Sequence, residues 1–424
     1  MAYVPEVGPE KLVSLTMPVR TESYPWDDQL HPIFQMNLPE GYLLQVLQEE
    51  FGPVVGASPT ALLSVIGRNM VGRLQVAPPE ASLDEPAKPI EVAELLKGDN
   101  SEEAFSRLVR EHARSGVSGV LPKFLDTEQK HVGLGPHKKA TLLTHQHIIK
   151  GASSRLPFAT ANEHLCMQVA SKVVECAKTD LSQDGNVLVV YRFDVDENGK
   201  PFRALEDFCA LLGLRPAAKY ETTWERIAKA VRNFVPGADQ HETFKKLTAI
   251  LLLTYALRNA DCHSKNLALL YTSRTDARLA PVYDFFTTSV YAGYQNNPPG
   301  IAFMGRKTWL PGKTLSKFVT SNFGIPQREQ KEIVEQISDA VADVSPAVRE
   351  LMNGLAGFKD TGKGMLAAWN EGVSVLREAR VYGLSPWKSS SAFEGISDPP
   401  KLKNPRRVIG RSELLANRSK SKSK

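Results

Sequence analysis

Cysteine is scarce in this chain of 424 residues: there are four, Cys166, Cys176, Cys209 and Cys262, and no two form a Cys-x-x-Cys pair. That spacing argues against a structural zinc site and against a disulfide framework, and it suits a reducing compartment. Long apolar runs are missing too. No stretch of 18 apolar residues occurs, and the longest run, 247–257, fits a core helix rather than a membrane span. The opening residues, MAYVPEVGPEKL, lack a basic segment followed by an apolar one, so no secretory signal is expected. Internal repeats, a His-Glu-x-x-His pair and an obvious helix-turn-helix are also absent. With 42% hydrophobic and 23% charged residues, the chain reads as an ordinary globular protein, expected in the cytoplasm and away from membranes.

Excess charge is confined to one end. The chain has 52 Lys/Arg and 47 Asp/Glu, of which residues 401–424 hold nine and one, leaving 43 basic and 46 acidic residues in the body. The ending RSKSKSK is too polar and repetitive to bury anything, so 401–424 is expected to be a disordered basic arm. Such an arm either contacts an anionic surface such as nucleic acid or only aids solubility.

Along the chain, residues 1 to about 80 mix short strand-like pieces (KLVSLTMPV, GRLQVAP) with helices. EGYLLQVLQEEFG has apolar residues near helical spacing, and SPTALLSVIG has Ser58 at a cap position followed by Pro59. A Pro-rich, acidic stretch at 77–88 reads as a linker, and EEAFSRLVREHA as a further helix. From about 115, GVLPKFLD, TLLTHQHIIKG and NVLVVYRFDV read as strands, with a helix, NEHLCMQVASKVVECA, between the last two. After Trp224 helices dominate, with HETFKKLTAILLLTYALRN the clearest. The expected fold class is α+β: a two-lobed, protein-kinase-like fold with an additional N-terminal α/β subdomain. Its expected units are 1–110, a strand-rich lobe over 111–223, a helical lobe over 224–385, and a basic tail over 386–424.

Between two apolar segments, LTAILLLTYAL and LALLY, sits NADCHSKN, residues 259–266, five polar side chains at one inner junction. Asp261 and Asn266 stand five apart, and Asp284 follows 18 residues later in LAPVYDFF. Phosphoryl transfer needs a carboxylate beside the acceptor hydroxyl and oxygen ligands for Mg²⁺, and kinases space an Asp, an Asn and a second Asp in this way. Phe286 stands where the kinase metal motif has glycine, and Asn259 where a histidine precedes the aspartate. The alternative is an Asx-rich turn that caps helix ends. SGVSG at 115–119 is a small-residue loop able to bring backbone N–H groups to phosphates. Lys123 and Lys150 both compete for the role of phosphate-facing lysine. Lys150, ending the strand THQHIIK, is the better placed, with Glu163 on the next helix as its partner. YRFD (191–194) ends a strand where a hinge would lie, and Phe193 is available to an adenine ring. His145, His147, His164 and His263 could be assembled with Asp261 and Asp284 into a metallohydrolase site, but no partner motif supports it. His263 and Lys265 orient the loop or meet phosphate oxygens.

With those residues placed, the chain resembles the HipA family of serine/threonine kinase toxins over roughly 10–380. SVIGRNMVGRLQV resembles the family's N-terminal segment, SGVSGVLPK its phosphate loop, HIIK its ATP-lysine strand and NEH the start of its next helix. RFD resembles the hinge, NADCHSKN the catalytic loop and LAPVYDFF the metal aspartate. The resemblance implies ATP and Mg²⁺ as cofactors, with Asp261 the catalytic aspartate, Asn266 and Asp284 the metal ligands, and Lys150 the ATP-phosphate lysine. Ser118, Gly119, Val120, His263 and Lys265 would approach phosphates, and Arg192, Phe193 and Asp194 the nucleoside. It also implies a cytoplasmic protein substrate such as an aminoacyl-tRNA synthetase, inhibited translation, and a helix-turn-helix antitoxin through which DNA is reached. The chain departs from the family at Gly116, where a self-phosphorylated serine is common. Ser118, or Ser115, is then the candidate for self-phosphorylation, whose added charge would repel ATP phosphates. Two other readings stay open: a pseudokinase corepressor held on DNA with an antitoxin, and a small-molecule kinase.

Overall fold

The structure, a computed structural model, describes residues 2–26, 30–38, 44, 47–49, 56, 58–79, 82–83, 90–98, 100–115, 140–151, 154, 156–377, 381–387 and 391–396. The loop residues Ser118, Gly119 and Val120, Lys123, the strand expected at 119–126, most of the helix expected at 40–52 and the 401–424 tail lie outside the described residues.

Near the N-terminus, KLVSLTMPV carries an isolated bridge between Ser14 and Met17. Helix α1 (Pro59–Ile66) begins as its sequence suggests: Pro sits at the first turn, and the Ser58 hydroxyl accepts from the Ala61 N–H at 3.2 Å. Helix α2 (Glu102–Ser115) follows. The stretch TLLTHQHIIK, expected as one strand, is a hairpin. Strands β1 (Ala140–Leu143) and β2 (His147–Gly151) pair antiparallel, with Lys150 opposite Thr141. Thr144 makes the turn by exchanging bonds with His147, N–H to carbonyl at 2.8 Å in one direction and N–H to hydroxyl at 3.0 Å in the other. His145 therefore lies in a turn and shares no strand face with His147.

Strand β2 also pairs with β4 (Val187–Tyr191), which pairs with β3 (Thr179–Leu181), giving an antiparallel sheet of order β1-β2-β4-β3. Alternation along these strands serves two cores. Ile149, Val187 and Val189 pack with Phe105 and Val109 of α2 and with Leu62 of α1. Leu188 and Val190 face the opposite way, toward α3 (Ala159–Ser171) and the main core. A smaller sheet, β5 (Ala204–Asp207), β6 (Ala268–Tyr271) and β7 (Arg278–Leu279), is antiparallel throughout.

The remaining body is helical. Helix α4 (Trp224–Phe234) is capped by the Thr223 hydroxyl. Helix α5 (Gln240–Ala256) is the axis of the core, with Leu247, Leu252 and Leu253 fully buried. Around it lie α6 (Lys313–Phe323), α7 (Gln327–Gly354) and α8 (Lys359–Arg377). Gly372 lets α8 approach α5: a Cβ there would collide with the Ala256 carbonyl and lie 2.8 Å from that of Tyr255. The N-terminal segment is stitched to the smaller sheet through buried Glu206. Its carboxyl accepts from the Ser14 hydroxyl at 2.6 Å, the Leu15 N–H at 3.0 Å and the Tyr271 hydroxyl at 3.1 Å. Burial outweighs those bonds and pushes the Glu206 carboxyl up to about 7.

Candidate active site

Lys150 shares a face of β2 with Ile148, which packs against the main core, so its side chain points toward α3 rather than toward α1 and α2. There Nζ donates to Glu163 Oε1 at 2.6 Å and to Asp284 Oδ1 at 2.9 Å. Glu163 on α3 is 2% exposed and Asp284 26%, so the cluster is closed on one side and open to a ligand on the other. Burial alone would lower the Lys150 pKa, but the two carboxylates reverse it and hold the ammonium well above its ordinary value.

Neighbouring residues fix both carboxylates. Asn162, one position before Glu163, donates to the Thr287 carbonyl and accepts from the Thr287 N–H, both at 2.9 Å. The Trp369 indole on α8 donates to the Thr287 hydroxyl at 2.8 Å. Helix α3, the segment after Asp284 and α8 are thereby one unit. Asp284 itself has φ of 55°, a left-handed conformation that costs an L-residue about 1–2 kcal/mol. Such a cost persists only where the surroundings over-determine it, and functional sites are where such residues cluster.

The 259–266 loop is held as firmly. Arg258, also left-handed at φ of 53°, ends the α5 run, and its carbonyl accepts from the Thr288 hydroxyl at 2.9 Å. That hydroxyl oxygen accepts in turn from the Ala260 N–H at 2.9 Å. Asn259 Oδ1 accepts from the Asp261 N–H at 3.0 Å, and Asn266 Nδ2 donates to the Asp261 carbonyl at 3.0 Å. Asn266 is thus oriented through its amide nitrogen, and its side-chain carbonyl accepts no bond from a described residue. Tyr283 donates to the Lys265 carbonyl at 2.8 Å, joining the loop to the residue before Asp284. His263 is buried, its Nδ1 lacks a partner among the described residues, and burial lowers its pKa, so it is neutral. Gly300 closes the loop from behind: a Cβ there would collide with the Cys262 carbonyl and lie 3.0 Å from that of Ala260.

The side chains of Arg192 and Asp194, expected near the nucleoside, are bonded within the protein. The Arg192 guanidinium donates to Asp194 Oδ1 at 3.2 Å and Oδ2 at 2.5 Å, and to the Met70 carbonyl at 2.8 Å, Asn69 Oδ1 at 3.1 Å and the Thr144 carbonyl at 3.0 Å. Asp194 Oδ2 also accepts from the Gly72 N–H at 2.6 Å. The pair clamps residues 69–72 to the sheet, since a buried guanidinium has to find acceptors for its donors. Phe193, half-buried between them, lies 6.1 Å from the Tyr283 ring and remains the apolar surface of this segment.

Among the described residues no three His, Cys, Asp or Glu side chains converge as a metal-binding group. The oxygen donors on offer are the Asp284 carboxylate and the Asn266 carbonyl. That set suits Mg²⁺, which takes one or two protein oxygens and completes its shell with phosphate and water.

Residues 115–345 match the family model described as the HipA-like C-terminal domain, and residues 2–77 the HipA N-terminal domain. The chain belongs to the HipA family. Among its relatives, a Sinorhizobium fredii (strain NBRC 101917 / NGR234) protein named "Putative kinase Y4mE" is 27% identical over 360 residues, 78% of this chain and 82% of that one. A second from the same organism, "Putative kinase Y4dM", is 26% identical over 64% of this chain and 65% of its own length. The fold is shared with HipA of Shewanella oneidensis MR-1, solved with HipB and operator DNA, at a TM-score of 0.58 and 18% identity over 84% of this chain and 85% of that one. The architecture is accordingly the kinase-like α+β fold of the HipA family. No helix among the described residues is long and apolar enough to cross a membrane.

The sequence had no signal for Tyr220, whose hydroxyl donates to Asp261. Nor did it mark Thr287 and Thr288, which tie the two halves of the site together. Asn162 entered the sequence reading only as the first residue of NEH, with no role attached.

Proposed function

We propose that the protein is an ATP-dependent serine/threonine protein kinase acting in the cytoplasm as the toxin of a toxin–antitoxin pair. The observation that carries this reading is Lys150 held between Glu163 and Asp284, beside a loop in which Asn266 braces Asp261. Bound Mg-ATP would supply the transferable γ-phosphoryl group, with Asn266 and Asp284 holding the metal and Lys150 offsetting phosphate charge. Asp261 aims the acceptor hydroxyl and takes its proton. Neutral His263 and Lys265 border the phosphates, and Phe193 and Tyr283 offer an apolar wall to the base. Ser118, Gly119 and Val120 would cover the phosphates, with Ser118 a site of self-phosphorylation.

An aminoacyl-tRNA synthetase is the substrate class we favour, and a helix-turn-helix antitoxin the partner that brings the complex to DNA, with the 401–424 arm adding phosphate contacts. The HipA neighbour's complex with HipB and operator DNA supports the partner. Incubation of host lysate with γ-labelled ATP and Mg²⁺, comparing wild type with Asp261→Ala, tests the activity. A labelled band with wild type alone is expected. No wild-type-specific band, with ATP binding intact, would refute the kinase reading and favour a corepressor.

A further inference from the structure

Tyr220 stands at the centre of the site without a role in the reading above. Its hydroxyl donates to Asp261 Oδ1, and it is the carboxylate's hydrogen-bond partner among the described residues. An acceptor hydroxyl would have to donate to that same carboxylate to be aimed and relieved of its proton. Two hydroxyls therefore compete for one group.

Main-chain contacts put Tyr220 there. The carbonyl of the preceding residue, Lys219, accepts from both the Ser264 N–H at 3.1 Å and the Ser264 hydroxyl at 2.8 Å, which pins this segment to the 259–266 loop. On its other side, the Trp224 N–H donates to the Ala302 carbonyl at 2.9 Å, so residues 219–224 run between the loop and residues 300–303. The ring stands edge-on to His263, centroids 5.0 Å apart, and the Lys307 and Lys219 ammonium groups lie 5.5 and 5.7 Å from its centroid. Ring and hydroxyl are held by independent contacts.

We propose that Tyr220 is the acceptor-subsite residue of this enzyme: its hydroxyl occupies the acceptor position on Asp261 at rest and yields it when a substrate hydroxyl binds. The proposal rests on Asp261 being the proton-accepting group of a phosphotransferase. In the productive step the incoming hydroxyl gives its proton to Asp261 and its oxygen bonds to the γ-phosphorus. The bond from that phosphorus to the β,γ-bridging oxygen breaks, with the electron pair leaving on ADP. Water can take the same position, so Tyr220 also suppresses idle ATP hydrolysis.

The test uses the full chain and Mg-ATP alone, reading phosphate release and the KM for ATP in wild type, Tyr220→Phe and Tyr220→Ala. Phenylalanine keeps the ring contacts with His263, Lys219 and Lys307 and removes only the competing hydroxyl. Phosphate release is expected to rise about three- to tenfold in Tyr220→Phe, the size of one net hydrogen bond, with the KM for ATP unchanged. A gain of rate is not what damaged packing produces, and Tyr220→Ala, which does lose packing, should gain no more than Tyr220→Phe. Release that is unchanged or lower in Tyr220→Phe, with ATP still bound, would overturn the proposal and make Tyr220 a brace for Asp261. If neither wild type nor variant turns over bound ATP or labels any protein in lysate, the kinase reading itself fails.

Discussion

Lys150→Met separates what the cluster does for stability from what it does for chemistry. The substitution keeps most of the apolar stem and removes the cation from two carboxylates, at 2.6 and 2.9 Å. Breaking a buried ion pair from one side costs about 3–5 kcal/mol, because the charge left behind stays desolvated. Asp284 is 26% exposed and can be rehydrated, whereas Glu163 at 2% cannot, so the cost falls mainly on Glu163 and the low end, about 3 kcal/mol, is expected. Adding Glu163→Gln to Lys150→Met removes the stranded charge at nearly constant shape and should restore about 2 kcal/mol. Urea unfolding followed by circular dichroism reads both steps as shifts in midpoint at constant slope. Phosphoryl transfer should be absent in both variants, since both lack the Lys150 ammonium proposed to offset phosphate charge. A double variant no more stable than Lys150→Met would refute the idea that Glu163 is the strained partner.

Glu206 gives a pH signature of unusual sign. Its carboxyl sits at about 7 in the folded chain against an ordinary 4.5, so between those values the folded state holds more protons and stability falls as pH rises, by up to about 1.4 kcal/mol per unit. Glu206→Gln should flatten the urea midpoint between pH 5 and 7, and an unaltered slope would remove Glu206 as its cause. Asp194→Ala strands the Arg192 guanidinium and the Gly72 N–H, costing about 3–5 kcal/mol, and should make the 69–72 region the first site of limited trypsin cleavage; an unchanged cleavage pattern would count against the clamp. Gly300→Ala pushes on the Cys262 and Ala260 carbonyls, so labelled-phosphate transfer should fall at least about tenfold while ATP binding persists, and full activity would show that the loop can give way.

These sites differ in how far the sequence alone reveals them. Helix α5 was legible because its apolar residues repeat, and 259–266 because five polar side chains between two buried runs need a reason to be there. The hairpin at 140–151 was not, because its turn is Thr-His-Gln, without the Gly, Pro or Asn that usually marks one. Thr144 supplies with its hydroxyl what those residues supply by conformation. The clamp made by Arg192 and Asp194 was not legible either, because two charges at a strand end do not reveal that their partners lie 122 residues earlier in the chain.

Lys150 and Asp284 are farther apart still, 134 residues, yet both were expected at one phosphate and metal site, with Glu163 as the partner named for Lys150. What separates the two cases is the chemistry each pair implies. A lysine, a glutamate and two aspartates with an asparagine on the loop are the set that the proposed phosphoryl transfer requires, so that reading demands that they meet in space. Packing contacts such as Asn162 with Thr287, or the clamp on residues 69–72, answer only to the fold. Tyr220 falls between these classes. It lies 41 residues before Asp261 in no motif, but the carboxylate it meets is the one the chemistry had already singled out. On the proposed role of Asp261, the Tyr220 hydroxyl has either to be displaced by the acceptor or to share the oxygen with it.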